Sequence, residues 1–336
     1  MKIAILTHPL ISNYGGILQA YALSHYLKKL GHDSLVLNRQ SNISFISRYI
    51  KIILMSLNYP RYKNPKYRNI AKFIKEHINY SQPLWTTREL NLFLENNNVD
   101  AVVVGSDQVW RTDFAMDYGY DYFLNFAYTN IKKFSYAASF GLSEWKYTNE
   151  QTSIIKNLLN TFSAISVRED EAVELCRTHL EIDAKHVLDP TLLLTIDDYE
   201  PIISERLVKD DYVFVYWLGS EDEKKSAIEK IRLTNKKIVD VSLRCDDVLI
   251  PIENWLSYIK CADIVITDSF HGCVFALLFH KQIILSKNDS GGNGRLMSLF
   301  KMFELEMDNN VIDYEKFERI LQEERQKSYK FIKEAL

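Results

Sequence analysis

The run Ile264-Val265-Ile266 passes directly into Thr267, Asp268 and Ser269, and these lead into an apolar helical run from Val274 to Phe279. A buried strand, a polar turn and a helix opening make half of a βα unit. The same order recurs along the chain, and that recurrence restricts the fold to a parallel sheet covered by helices. In open sheets of this kind ligands bind at the carboxyl ends of the strands, beside helix N-termini. His271 lies at such a place, with backbone N–H groups and a positive dipole end nearby. A lone histidine there is more often a capping or packing residue than a catalytic one, so the other strand ends have to be read with it.

Lys2 to Thr7 reads as a first strand, and His8 to Gly16 as a polar loop ending in Asn13-Tyr14-Gly15-Gly16. Ile17 to Leu30 follows as an amphipathic helix stopped by Gly31, and Ser34 to Asn38 as the second strand. The paired glycines lack the spacing of a dinucleotide or P-loop motif and read as a place where backbone approaches a ligand. Val99 to Val104 is a buried strand ending in Gly105-Ser106-Asp107-Gln108, and Lys133 to Ala138 another, ending at Ser139. Ala164 to Val167 ends at Arg168-Glu169-Asp170. The polar stretch 197–211 marks a domain boundary. Tyr212 to Trp217, Lys237 to Val241, the strand before His271, and Gln282 to Leu285 then build a second α/β unit. Its last loop, Ser286 to Arg295, is the most glycine-rich of the chain. The architecture expected is α/β and GT-B-like: two Rossmann-type parallel-sheet domains facing across a cleft. Residues 1–195 form the first, 196–312 the second, and 313–336 a helix packed across the junction.

Residues 45–80 differ in character, with Arg48, Lys51, Arg61, Lys63, Lys66, Arg68, Lys72 and Lys75 set against Glu76 alone among acids. Such a basic insertion suits an anionic membrane face, although a charge run of this kind more often belongs to a solvated helical insertion. A net charge of −3 gives no bulk attraction for nucleic acid. Cys176, Cys245, Cys261 and Cys273 form no CxxC pair, so neither a metal site nor a disulfide framework is expected, and free thiols fit a reducing cytoplasm. No apolar run reaches the roughly 18–20 residues of a membrane span.

The strand ends offer three cations, Arg168, Lys287 and Arg295, around one titratable His271. Converging cations at helix N-termini bind phosphate and carboxylate groups, and a histidine moves protons. Group transfer involving a small anionic substrate follows from the residues alone. Each cation also has a plain structural reading: Arg168 as an ion pair with Glu169 or Asp170, Lys287 as an exposed loop charge.

Five segments, in order, resemble the polysaccharide pyruvyl transferase family: Asn13 to Leu23 (NYGGILQAYAL), Val103 to Trp110 (VVGSDQVW), Ser166 to Glu169 (SVRE), Val187 to Pro190 (VLDP) and Thr267 to Gly272 (TDSFHG). The resemblance implies a GT-B-like fold and transfer of pyruvate from phosphoenolpyruvate to a sugar, as a cyclic ketal, with release of phosphate. It implies acceptors in capsule, exopolysaccharide or cell-wall glycan precursors, often lipid-linked at the inner face of the cytoplasmic membrane, and no cofactor or metal. It places His271 and Arg168 in catalysis. A further basic residue downstream is also used in the family, often a lysine after Asp-Pro. That context is absent here, leaving Lys287 or Arg295, of which Arg295, opening a helix, is the better placed to grip an anion bidentately. Ser269 joins the donor side. Asn13, Gly15, Gly16, Ser106, Asp107, Gln108 and Ser139 are expected to face the acceptor. A GT-B glycosyltransferase using a nucleotide sugar is the competing expectation.

Overall fold

Strands that read as unbroken apolar runs are buried on both faces, as parallel sheets require. All four residues of Ala101–Val104 are buried, as are those of Tyr212–Tyr216 and Ile264–Thr267. The computed structural model describes residues 1–41, 65–128, 130–231, 236–242, 248–285, 293–306 and 312–336. In the first unit, β1 (Lys2–Leu6), β2 (Asp33–Arg39), β3 (Tyr80–Leu84), β4 (Ala101–Val104) and β5 (Lys132–Ser135) form one parallel sheet, ordered β3-β2-β1-β4-β5. Bridges Phe134–Ala164 and Ala138–Val167 extend it to the short parallel pair β6 (Ser166–Val167) and β7 (Lys185–His186). In the second unit, β8 (Tyr212–Tyr216), β9 (Lys237–Asp240), β10 (Ile264–Thr267) and β11 (Gln282–Ile284) are parallel, in the order β11-β10-β8-β9.

Several boundaries differ from the sequence expectation for local reasons. The first helix is Tyr14–Lys29, so the paired glycines lie inside its first turn rather than in a loop. Asn13 begins it by accepting the Gly16 N–H at 3.1 Å. Two elements absent from the sequence reading are β3 and the helix Thr87–Asn96, which a Thr86/Glu89 capping box starts. Pro83 disguises β3, and the strand is tolerated because it lies at the sheet edge.

The basic segment falls largely outside the described residues. Its described end is a helix, Arg68–His77, that buries Ile70, Ala71, Phe73 and Ile74 and leaves Arg68, Lys72 and Lys75 exposed. The apolar face therefore packs onto the protein itself, and the charges face outward. No helix among the described residues is long and apolar enough to cross a membrane.

Beside a cluster confined to each unit, one hydrophobic core is common to both. It joins Ile3, Ile5 and Val103 of the first sheet to Phe214, Val265 and Ile283 of the second. Tyr14 fastens the junction. Its ring stacks on Trp255 at 5.5 Å, and its hydroxyl donates to the Ile250 carbonyl at 3.0 Å. The C-terminal helix Tyr314–Ala335 adds a strap. Phe317 packs on Phe303 in the second unit, and Phe331 lies near Tyr136 in the first. Arg325 donates to the carbonyls of Leu192 and Leu194 at 2.8 and 2.6 Å, capturing the connection between units.

Because Leu321 of that helix is fully buried in the shared core, Leu321→Ala should cost about 2–5 kcal/mol. Urea unfolding followed by tryptophan fluorescence should show one transition in both proteins. Two separated transitions in the wild type would contradict a single cooperative core.

Candidate active site

The strands of both sheets are parallel, and the polar groups lie at their carboxyl ends. Thr7 and His8 follow β1, Ser106 to Gln108 follow β4, Arg168 and Glu169 follow β6, and Asp189 follows β7. From the second sheet, Thr267 to Gly272 link β10 to the helix Phe270–Leu278.

Each residue of that last turn has a definite task. Thr267 Oγ1 donates to the Tyr216 carbonyl at 2.7 Å and accepts the Ser269 N–H at 3.0 Å. Asp268 accepts the N–H groups of Leu218 and Gly219, fixing the loop after β8. Ser269, expected on the donor side, caps the helix by accepting the Gly272 N–H. Phe270 lies under the Arg168 guanidinium, 4.4 Å from ring centroid to Cζ. At position 272 any side chain would strike Thr267, since a Cβ would lie 2.5 Å from its hydroxyl.

His271 is thereby pushed across the junction. A Cβ on Gly15 would lie 1.9 Å from His271 Nδ1, so the opening helix of the first unit accepts this ring only where it carries glycine. Nε2 lies 3.5 Å from Asp189 Oδ2, within ion-pair range but without hydrogen-bond alignment, and has no hydrogen-bond partner among the described residues. The ring is buried, 7% exposed, and is held between the two units.

Asp189 was not singled out as a site residue by the sequence, although its motif was. Oδ1 accepts from the Thr191 N–H and hydroxyl at 3.0 and 2.7 Å. Oδ2 accepts from Arg168 Nη1 at 3.1 Å and from Ser106 Oγ at 3.2 Å. Burial alone would raise this carboxyl, but the His271 and Arg168 charges and the Thr191 N–H outweigh it, and the group is held well below the usual carboxylate range. Arg168 is equally constrained: Nε donates to Glu169 Oε1 at 3.0 Å, Nη1 to Asp189, while Nη2 is buried without a hydrogen-bond partner among the described residues. Burial opposes its charge, but Glu169, Asp189 and Asp107 more than restore it. The ion pair with Glu169 therefore coexists with a spare donor.

Arg295 belongs to the same electrostatic neighbourhood. Its guanidinium is depressed by burial and by the Arg168 charge, and its buried Nε has no hydrogen-bond partner among the described residues. It lines a cavity of about 290 Å³ with Glu169, Glu171 and Gly141. Lys287, the other candidate cation, lies outside the described residues.

The expected acceptor residues divide. Asn13, Gly16, Asp107 and Gln108 line a second cavity of about 330 Å³ together with His8, Phe114 and Tyr118. Asp107 adopts a left-handed backbone, φ 73°, and is held below the usual carboxylate range: burial opposes its charge, while His8, Arg168, His271 and the Gln108 N–H favour it. Gly15 backs His271 instead of lining this cavity. Ser106 and Ser139 are fully buried; the first hydroxyl donates to the Ala137 carbonyl and to Asp189, and the second accepts the Gly141 N–H. Both are scaffolding for the site rather than its walls. His8 was also missed, although it follows the first strand directly. Among the described residues, the one trio of His and carboxylates close enough to share a metal is Glu76, His77 and Glu253, and none of these lines either cavity.

The profile of the family described as polysaccharide pyruvyl transferase matches residues 13–290. No curated protein matches the chain. Among solved structures, UDP-GlcNAc 2-epimerase from Methanocaldococcus jannaschii aligns at TM-score 0.52 and 16% identity, covering 96% of this chain and 99% of that one. A Listeria monocytogenes structure assigned as a UDP-N-acetylglucosamine 2-epimerase aligns at TM-score 0.50 and 11% identity, covering 96% and 90%. At these identities the likeness is one of fold, and it identifies the architecture as GT-B-like.

Two outcomes follow from the geometry. Gly15→Ala should displace the His271 ring and abolish most activity while leaving the melting temperature within a few degrees, because the shared core is untouched; near-normal turnover would contradict the close approach. Asp189 and Asp107, being depressed, confer stability that is complete above the unfolded carboxyl value of about 3.9 and is lost as pH falls below it. Asp189→Asn should therefore flatten the fall of unfolding free energy between about pH 5 and about pH 2, measured by urea titration. Equal slopes would show that Asp189 is not a strongly perturbed acid.

Proposed function

The chain belongs to the polysaccharide pyruvyl transferase family, and on that premise we propose that it transfers pyruvate from phosphoenolpyruvate to a hexose, forming a cyclic ketal and releasing phosphate. The acceptor in this reading is a capsule, exopolysaccharide or cell-wall glycan precursor, carried on lipid at the inner face of the cytoplasmic membrane. One observation supports it above the others: Arg168, with a buried unpartnered N–H donor, and His271 face the same carboxylate, Asp189, and a second such donor, on Arg295, lies in the field of Arg168. A small, highly charged anion needs such donors, and ketal formation needs a proton carrier.

In this reading the spare Nη2 of Arg168 and the guanidinium of Arg295 hold the phosphate and carboxylate of the donor, with Lys287 as the alternative cation. His271 transfers a proton at the donor methylene or at a sugar hydroxyl. Asp189 faces its ring and keeps Arg168 in place. Asn13, Asp107 and Gln108 face the sugar. Protonation of the methylene leaves C2 electron-poor; a sugar hydroxyl adds there, phosphate departs, and a second hydroxyl closes the ring. The exposed cations Arg68, Lys72 and Lys75 suit a peripheral position at an anionic lipid surface.

Phosphate release from phosphoenolpyruvate with a panel of lipid-linked and synthetic glycans, followed by mass spectrometry of the product, tests the reaction. His271→Ala should lower it by roughly 10²–10⁴-fold, the usual contribution of a proton-transfer group. Undiminished turnover would remove His271 from the chemistry. Calorimetric titration should show binding of phosphoenolpyruvate and none of UDP-, GDP- or CMP-sugars; the reverse would establish the nucleotide-sugar reading.

A further inference from the structure

Ketal formation moves more protons than one histidine handles conveniently, and the acceptor-side cavity contains a second. His8 lies at the carboxyl end of β1 and lines the cavity of about 330 Å³, near the lower end of the range of about 300–1,000 Å³ for small-molecule sites. Two edge-on aromatic contacts fix its ring, with Phe114 at 5.5 Å and Tyr122 at 5.4 Å. Nε2 is buried and has no hydrogen-bond partner among the described residues. A buried, unpaired polar atom is costly, so an imidazole held in this state is readily explained by a ligand that completes it. The nearby charge is Asp107, whose carboxylate is favoured by His8 first among its neighbours and by His271 as well. One carboxylate thus stands in the field of two histidines, one following a strand of each sheet.

Resting on the pyruvyl-transfer reading above, we infer that His8 is the proton acceptor for the sugar hydroxyls, with Asp107 as the carboxylate that shares its cavity. The division of labour balances. His271 delivers a proton to the methylene carbon of phosphoenolpyruvate. A C–O bond forms between C2 and the first sugar oxygen, whose proton passes to His8. The bond from C2 to the phosphate oxygen breaks, the departing phosphate takes the first proton from His8, and the second sugar oxygen then bonds to C2 as its own proton passes to the neutral His8. Of the two hydroxyl protons released, one replaces that given to the methylene, now a methyl group, and the other leaves on hydrogen phosphate. No oxidant, reductant or further reactant is required. Phe114 and Tyr118 offer the cavity the aromatic walls on which sugar faces pack.

Among the described residues, the other charged or titratable groups lining this cavity or in ring contact with His8 are Asp117 and Tyr118 on the turn Met116–Tyr118, and Tyr122 on Asp121–Phe123. Arg39 lies over the Tyr118 ring at 5.2 Å and Arg111 over the Phe114 ring at 5.0 Å. These stay in place when the imidazole alone is replaced, so a change confined to His8 variants can be assigned to it.

The test uses the full chain with phosphoenolpyruvate and whichever glycan the wild type converts. His8→Gln should lower kcat by roughly 10²-fold or more, leave the calorimetric affinity for phosphoenolpyruvate unchanged, and remove the acid limb of the kcat/KM profile. His8→Gly should regain activity on addition of imidazole, whereas a space-filling effect would not be rescued this way. The melting-temperature shift caused by phosphoenolpyruvate verifies that each variant is folded, and His8→Asn substitutes for any that is not. An active wild type whose His8 variants keep the acid limb, or recover nothing with imidazole, overturns the role of His8 and leaves the pyruvyl-transfer reading intact. A wild type that releases no phosphate from phosphoenolpyruvate with any glycan overturns both.

Discussion

The carboxylate of Asp189 is the interaction on which the site depends. It is buried and accepts from Thr191, Ser106 and Arg168 while facing His271 from the other sheet. A buried charge of this kind is tolerable only when its neighbours compensate it. Removing Asp189 itself would take a partner from Arg168 and the facing carboxylate from His271. Two of the segments that carry the family resemblance, Val187 to Pro190 and Thr267 to Gly272, thus turn out to be two sides of one electrostatic contact. A third, Ser166 to Glu169, supplies the guanidinium between them.

The parallel layout was legible in the sequence because its signals are local. Strands buried on both faces read as apolar runs, and the turns after them read as polar clusters. The strand, turn and helix that carry His271 were legible for the same reason. What local signals do not carry is the pairing of groups far apart in the chain. Asp189 looked like the end of a short strand before a proline, since nothing nearby in sequence shows that Arg168, Ser106 and His271 converge on it. The role of Gly15 was hidden in the same way: its lack of a side chain answers to a ring 256 positions later, at His271. Ser106 and Ser139 illustrate the opposite error. They are polar and follow strands, yet their hydroxyls are consumed within the protein, and residue type alone does not separate a wall from a scaffold.

β3 and the helix after it went unread because proline and a basic flank masked them, and their stability comes from an edge position and a capping box rather than from pattern. Tyr14 is the reverse case. It belongs to a motif that invites a ligand-binding explanation, but its ring and hydroxyl are spent on Trp255 and Ile250. Part of the family signature therefore encodes the docking of the two units, and only through that docking the chemistry.

That docking bears on how substrates come and go. An aromatic side chain buries about 150–250 Å², worth about 4–6 kcal/mol at 25 cal/mol per Å². Prying the units apart at Tyr14 and Trp255 would expose two such rings and break the strap of the C-terminal helix. Even one ring's worth disfavours an open form by about three orders of magnitude, at 1.4 kcal/mol per tenfold. Wholesale gaping of the two halves is therefore a rare event. Whatever the site binds therefore reaches and leaves it with the two units docked, and access is not set by a hinge at Tyr14 and Trp255.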